Sequence, residues 1–243
     1  MTAGKALEGR LCLVTGATRG IGRAAAIEAA RRGAHVIAVG RTAGALEELD
    51  DEIQELGVAA TLVQFDLTEH DSIDRLGASI FERWGRLDAL IGAAGVLGDI
   101  TPLAHMEPKI WNEAIAINLT ANWRLLRSVD PLLRRSDAGR AAFVTALSAR
   151  ECRAYWGAHS ITKVALETLV KTYAAETTTT AIRVNLFNPG SVDTKLRQKA
   201  MPGENKSDLA RPETVAPALV DLVLPACSRS GAIYDFVEGD FIQ

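Results

Sequence analysis

The stretch that most limits what this chain can become is residues 11–22, Leu-Cys-Leu-Val-Thr-Gly-Ala-Thr-Arg-Gly-Ile-Gly. An apolar run over residues 11–14 enters a turn with glycines at 16, 20 and 22, and a helical pattern follows as far as Gly33. Strand, glycine turn and helix together bring backbone N–H groups and a helix N-terminus up against a phosphate. For want of side chains, Gly16, Gly20 and Gly22 suit the tight turn, the close backbone approach and the packing of helix on sheet. A glycine pattern alone says little; flanked by a legible strand and helix it predicts a nucleotide-binding turn.

The same rhythm continues. A β-rich run at residues 35–39 is ended by Gly40, Arg41 and Thr42, and Leu46, Leu49, Ile53 and Leu56 then recur at helical spacing. Residues 60–65 read as a third strand with Asp66 at its exit, Ile73, Leu76, Ile80 and Trp84 as a helical stripe, and residues 87–91 as a fourth strand. Pro108 opens a long helix whose inward row reads Trp111, Ile115, Asn118, Asn122, Leu125, Val129 and Leu132. Its two asparagines either make satisfied internal hydrogen bonds or face a site. Residues 141–145 predict a strand, 155–175 a helix, 181–187 a strand, 212–224 a helix and 232–237 a last strand. The polar stretch 191–211, containing Pro202-Gly203, reads as a mobile loop. Alternating strands and helices with continuously apolar strands predict an α/β fold: one domain over residues 1–243 with a doubly wound parallel sheet.

Composition narrows the class. Net charge is −3 with both signs interspersed, which gives no footprint for nucleic acid or a membrane surface. The three cysteines, Cys12, Cys152 and Cys227, are isolated and odd in number, which fits a reduced, cytoplasmic setting. Met1 to Arg10 contain no apolar core of signal-peptide length, and no apolar run reaches membrane-spanning length. His35, His70 and His105 lack metal-ligand spacing, so no metal is expected.

Several motifs, in order, resemble the short-chain dehydrogenase/reductase family over nearly the whole chain. Thr15-Gly-Ala-Thr-Arg-Gly-Ile-Gly22 matches its glycine turn, Asp66-Leu67 the pair it sets against adenine, Asn118 its helix asparagine, and Asn188-Pro-Gly-Ser-Val-Asp-Thr194 the segment lining the nicotinamide. The resemblance implies a seven-stranded parallel Rossmann-type sheet, assembly as a dimer or tetramer, and 191–211 as a substrate loop. It further implies cofactor contacts from Gly16, Thr18, Arg19, Gly20, Ile21, Gly22, Arg41, Thr42, Asp66, Leu67, Ala93, Ala94, Gly95, Lys163, Pro189, Gly190, Val192 and Thr194. NADP(H) is preferred over NAD(H). Gly40 stands where a carboxylate would hold a 2′-hydroxyl, and Arg19 and Arg41 suit a 2′-phosphate.

The catalytic positions depart from the family. Asn118 and Lys163 are of the expected type. His159, four before Lys163, stands where the family carries its proton-donating tyrosine, and Ala146 where it carries a serine. Histidine beside Lys163 should have its pKa lowered and stay neutral, donating a single hydrogen bond. Tyr155 reads as a packing tyrosine one helical turn away, Ser148 and Thr145 as turn or strand-end residues, and Trp156 as close enough to His159 to shape a pocket. Two readings follow: a slow or specialised oxidoreductase acting on a carbonyl or alcohol, or a non-catalytic dinucleotide binder serving as sensor or partner subunit.

Overall fold

The computed structural model describes residues 5–242; of the N-terminal run read above for a leader, residues 1–4 lie outside the described residues. Six parallel strands come from the predicted apolar runs: β1 (Leu11–Thr15), β2 (His35–Gly40), β3 (Ala60–Gln64), β4 (Ala89–Gly92), β5 (Arg140–Val144) and β6 (Arg183–Asn188). β1, β4 and β5 are buried at every residue, as expected of strands covered on both faces. β7 (Ile233–Asp235) extends the parallel order.

The strand count is corrected by one. The sheet has eight strands in the order β3-β2-β1-β4-β5-β6-β7-β8, and β8 (Asp240–Ile242) pairs antiparallel with β7. It is three residues long, and Gly239 donates its N–H to Asp235 O across the hairpin turn. So short a run shows no sequence period. Neighbouring strands meet closely at Gly92, paired with Phe143: a Cβ there would lie 2.3 Å from the Phe143 ring, which is fully buried. Burying a side chain of that size stabilises the fold by about 1.5–3 kcal/mol.

Helices cover both faces, each with its own core cluster. One contains Leu13, Leu90 and Phe143 and receives α3 (His70–Trp84), α5 (Ala121–Leu133) and α7 (Gly157–Glu176) through Ile73, Leu125 and Leu166. The other contains Cys12, Val14 and Ile91 and receives α1 (Gly20–Arg31), α2 (Ala43–Glu55) and α9 (Pro212–Asp221) through Ala25, Leu46 and Val215. The long helix predicted from Pro108 is interrupted: α4 (Pro108–Ile115) passes through a π turn, Ala116–Thr120, into α5. That wide turn carries Asn118, in keeping with the tendency of such turns to re-aim side chains at sites.

The helix predicted from residue 155 starts at Gly157, leaving Tyr155 outside it. Tyr155 is 57% exposed with φ 74, so it neither packs nor shares a helical face with His159. Residues 191–211 are not a featureless loop. They hold α8 (Lys195–Ala200) and a 3-10 turn at Lys206–Asp208, and a Val192–Ala210 bridge closes their base. A four-residue helix, α6 (Ser148–Glu151), lies between β5 and α7. Among the described residues no helix is long and apolar enough to cross a membrane, and no group of three or more His, Cys, Asp or Glu is arranged to hold a metal.

Candidate active site

β1 has β2 on one side and β4 on the other, so consecutive connections leave the sheet in opposite directions and open a crevice at the strands' C-terminal ends. The glycine turn fills that position. Gly16 has φ 67, and a Cβ there would lie 2.8 Å from Ala94 Cα; one on Gly22 would lie 2.3 Å from Gly16 O. The turn is thus pressed against the exit of β4, where Ala93, Ala94 and Gly95 are half-buried. The N-terminus of α1 lacks both a side-chain cap and an acidic residue in its first turn. Its first N–H groups and positive dipole end are therefore unanswered from within the helix, which fits an anionic diphosphate.

The other predicted contacts fall around this turn to different degrees. Thr194 Cγ2 would be 3.3 Å from a Cβ on Gly20, which brings the 188–194 segment over it. The Thr194 hydroxyl also accepts from Arg197 N at 3.2 Å and caps α8. Pro189 and Val192 are buried, whereas Gly190 and Ile21 are partly exposed. Leu67 is buried after β3, and Thr42 is exposed at the start of α2. Arg19 is exposed and makes no ion pair with a described residue. Arg41 is already engaged: its guanidinium donates to Asp66 Oδ2 at 3.1 Å. Burial would raise the Asp66 pKa, but two hydrogen bonds from Thr68 and the Arg41 charge outweigh it and hold the carboxyl below its ordinary value.

Asn118, Lys163 and His159 converge behind the crevice. Asn118 Oδ1 accepts from Val96 N at 2.8 Å, and its Nδ2 donates to Val96 O and to Thr162 Oγ1, each at 2.9 Å. Its direct role is to clamp the chain leaving β4 onto α7 through Thr162, a residue the sequence did not single out. Asn122 also bonds internally, donating to Asn118 O at 2.8 Å, so both asparagines hold internal hydrogen bonds. Lys163 is buried and donates to Val144 O at 2.7 Å. A Cβ on Gly95 would lie 3.3 Å from Asn118 Oδ1 and 3.5 Å from Lys163 Nζ, so this glycine keeps both groups against the crevice. Burial pushes Lys163 down to about 8, opposed by the nearby Glu167 carboxylate. Glu167 is itself buried and accepts from Thr145 Oγ1 at 2.7 Å. Its spacing of four from Lys163 on one helix is the signal that could have found it.

His159 is 4% exposed in the first turn of α7. Burial, reinforced by the Lys163 charge, pushes its pKa down to about 3, so the ring is neutral in the direction expected. The Trp156 ring meets it edge-on at 6.0 Å between centroids. Ala146 is half-buried and has no hydroxyl to offer. Ser148, read above as a turn or strand-end residue, is buried at the start of α6 with its Oγ 2.8 Å from His159 Nδ1. No sequence spacing signals that contact, because the path of residues 145–157 sets it. Thr145 is turned to Glu167 and away from the histidine.

Comparison with known proteins shows the family and the fold. Residues 10–205 match the protein family described as short chain dehydrogenase. The uncharacterized oxidoreductase YciK of Escherichia coli K12 is 36% identical over 214 residues, 87% of this chain and 84% of that protein. A short chain dehydrogenase from Shigella flexneri 2a, solved complexed with NADP, superposes with a TM-score of 0.91 at 34% identity, covering 95% of this chain and 98% of that one. One from Escherichia coli CFT073, complexed with NADPH, gives the same TM-score, identity and coverage.

Proposed function

Because the chain belongs to the short-chain dehydrogenase/reductase family, we propose that it is an NADP(H)-dependent oxidoreductase that interconverts a small carbonyl compound and its alcohol. The observation that carries this reading is the pairing of a glycine turn at Gly16–Gly22, opening onto an uncapped helix, with Asn118 and Lys163 held within reach of Gly95. When bound, the nicotinamide cofactor supplies or accepts the hydride.

The chain's own residues bind and orient. The turn amides and the start of α1 receive the diphosphate. Arg19 answers a 2′-phosphate, with Arg41, which is shared with Asp66, as a second cation for it, and Asp66 and Leu67 flank the adenine. Lys163 keeps a cation near the nicotinamide end. His159, neutral, donates one hydrogen bond to the substrate oxygen as negative charge grows there, acting as an electrophile and not as a strong acid; the proton that completes the alcohol comes from water and returns to it in the reverse direction. Imidazole reaches less far than a phenol, and an offset of about 1 Å can cost about 10²-fold. With no hydroxyl at Ala146 as a second donor, turnover is slow. Residues 191–211 cover the substrate. Exposed apolar side chains on α7 (Ile161, 41%; Val164, 43%) and α5 (Trp123, 46%) support assembly into a homo-oligomer, which light scattering measures directly.

A second reading, a non-catalytic NADP(H) binder, is favoured by His159 and Ala146 together, which stand where the family carries tyrosine and serine. Consumption of NADPH with a panel of aldehydes and ketones separates the two. Turnover by the wild type that His159→Ala abolishes supports the oxidoreductase. Binding without turnover, with activity appearing only in the His159→Tyr/Ala146→Ser double variant, supports the binder.

A further inference from the structure

We propose that Ser148 is the positioning residue that sets the tautomer of His159: its hydroxyl donates to Nδ1, so the ring's single proton sits on Nε2, the nitrogen left to face the substrate oxygen. The proposal rests on His159 acting as the oxygen's donor, as set out above, but its structural half is tested separately.

Three observations carry it. The first is the contact itself. The turn leaving β5, with Ala149 N donating to Ala146 O at 3.0 Å and Arg150 N to Leu147 O at 2.9 Å, lifts Ser148 onto the first turn of α7. Ser148 Oγ and His159 Nδ1 are then 2.8 Å apart in a buried setting.

The second is donor accounting. A neutral imidazole has one donor and one acceptor nitrogen, and a serine hydroxyl has one proton. Ser148 Oγ makes no other hydrogen bond to a described residue. If Nδ1–H were the donor, the serine proton would be stranded in a buried site. If the hydroxyl donates, both groups are satisfied. The penalty for a stranded buried donor biases the tautomers by about tenfold or more.

The third is where the other nitrogen points. His159 Nε2 has no partner among the described residues, yet it is absent from the sealed and unpartnered side-chain atoms, which are Thr15 Oγ1, His70 Nε2, Arg124 Nε, Arg140 Nε and Ser160 Oγ. The small residual exposure of the ring therefore includes Nε2. Trp156, edge-on at 6.0 Å, restricts rotation of the ring plane.

The pair differs from a serine that itself touches the substrate oxygen: the serine acts through the imidazole, and only the histidine meets substrate.

The test is nitrogen-15 NMR of histidine-labelled, cofactor-free protein, with the His159 signals identified by their loss in His159→Gln. The expected wild-type pattern is a protonated, pyrrole-type Nε2 and an unprotonated, pyridine-type Nδ1, unchanged between pH 5 and pH 8. Ser148→Ala should shift both signals toward the average of two tautomers, and Ser148→Thr, which keeps the hydroxyl, should restore them. NADPH affinity, read by fluorescence titration, should be equal in all three proteins and controls for folding. In turnover, Ser148→Ala should lower kcat about tenfold with KM for NADPH unchanged. A protonated Nδ1 in the wild type overturns the proposal without needing any variant, as does a Ser148→Ala spectrum identical to the wild type. Protonated Nε2 with no turnover on any carbonyl leaves the Ser148 assignment standing and removes the oxidoreductase reading instead.

Discussion

Gly40, the last residue of β2, lies directly beneath Thr18 of the glycine turn: a Cβ at position 40 would be 2.4 Å from Thr18 Cγ2 and 3.2 Å from Leu46 Cδ2. The strand end therefore has no room for a carboxylate while Thr18 keeps its methyl group. Gly40→Asp should raise the Kd for NADPH about tenfold or more through repulsion of the 2′-phosphate, without improving NADH binding. Gly40→Asp/Thr18→Ser, which removes the obstructing methyl, should gain NADH affinity. Fluorescence titration with both cofactors decides, and a gain of NADH binding in the single variant would refute the steric argument.

Arg19 and Arg41 are not equivalent. Arg41 already shares its charge with Asp66 at 3.1 Å, whereas Arg19 is exposed without an ion pair. Hydrogen bonds to charged groups contribute about 1.5–3 kcal/mol, so Arg19→Ala should weaken NADPH binding by about tenfold or more. NADH binding should be unaffected, and the NADPH effect should shrink at high salt. Equal losses for both cofactors would mean that Arg19 does not meet the 2′-phosphate.

Asp88 sits just before β4, 2% exposed, and gathers partners from four places: Leu11 N at 2.9 Å, Ser136 Oγ at 2.6 Å, Arg86 Nε at 3.2 Å and Arg10 at 3.5 Å. Removing one partner of a buried charged network costs about 3–5 kcal/mol, because the remaining groups are left unsatisfied. Asp88→Ala should lower stability by that amount in urea unfolding. A loss no greater than that of an exposed ion pair would show the network to be dispensable.

His159 links stability to acid. Its ordinary pKa of 6.5 falls to about 3 in the folded protein, so below 6.5 the unfolded chain binds a proton that the folded chain refuses. Stability from this group is fully present above about 6.5 and is lost as pH falls toward 3, with a slope of up to about 1.4 kcal/mol per pH unit. The difference between wild type and His159→Gln, followed by chemical unfolding from pH 7 to pH 4, should shift in favour of the variant as pH falls. A constant difference across that range would mean that the ring titrates alike in both states.

Much of the architecture is legible without coordinates because it is written in local periods. Residues 11–15, 35–40 and 60–64 form strands close to where their apolar runs lie, and the stripe Ile73, Leu76, Ile80 marks the buried face of α3. The crossing of the glycine turn with β4 follows from strand–helix alternation and right-handed connections. Where local signals thin out, the reading loses detail: β8 is three residues long, α8 sits inside a polar stretch, and the π turn at Ala116–Thr120 has the same apolar row as an ordinary helix.

By itself the sequence determined the doubly wound sheet and the strand, glycine turn and helix at its switch point, since residue type and short-range spacing are local properties of the chain. The tertiary structure alone decided that Ser148 bonds to His159, that Arg41 is shared with Asp66, that Tyr155 faces solvent and that Asn118 clamps Val96 to Thr162. Each of these depends on the path of a turn or on which strands lie side by side. Such contacts join residues far apart along the chain, and no spacing within the sequence encodes the distance between them.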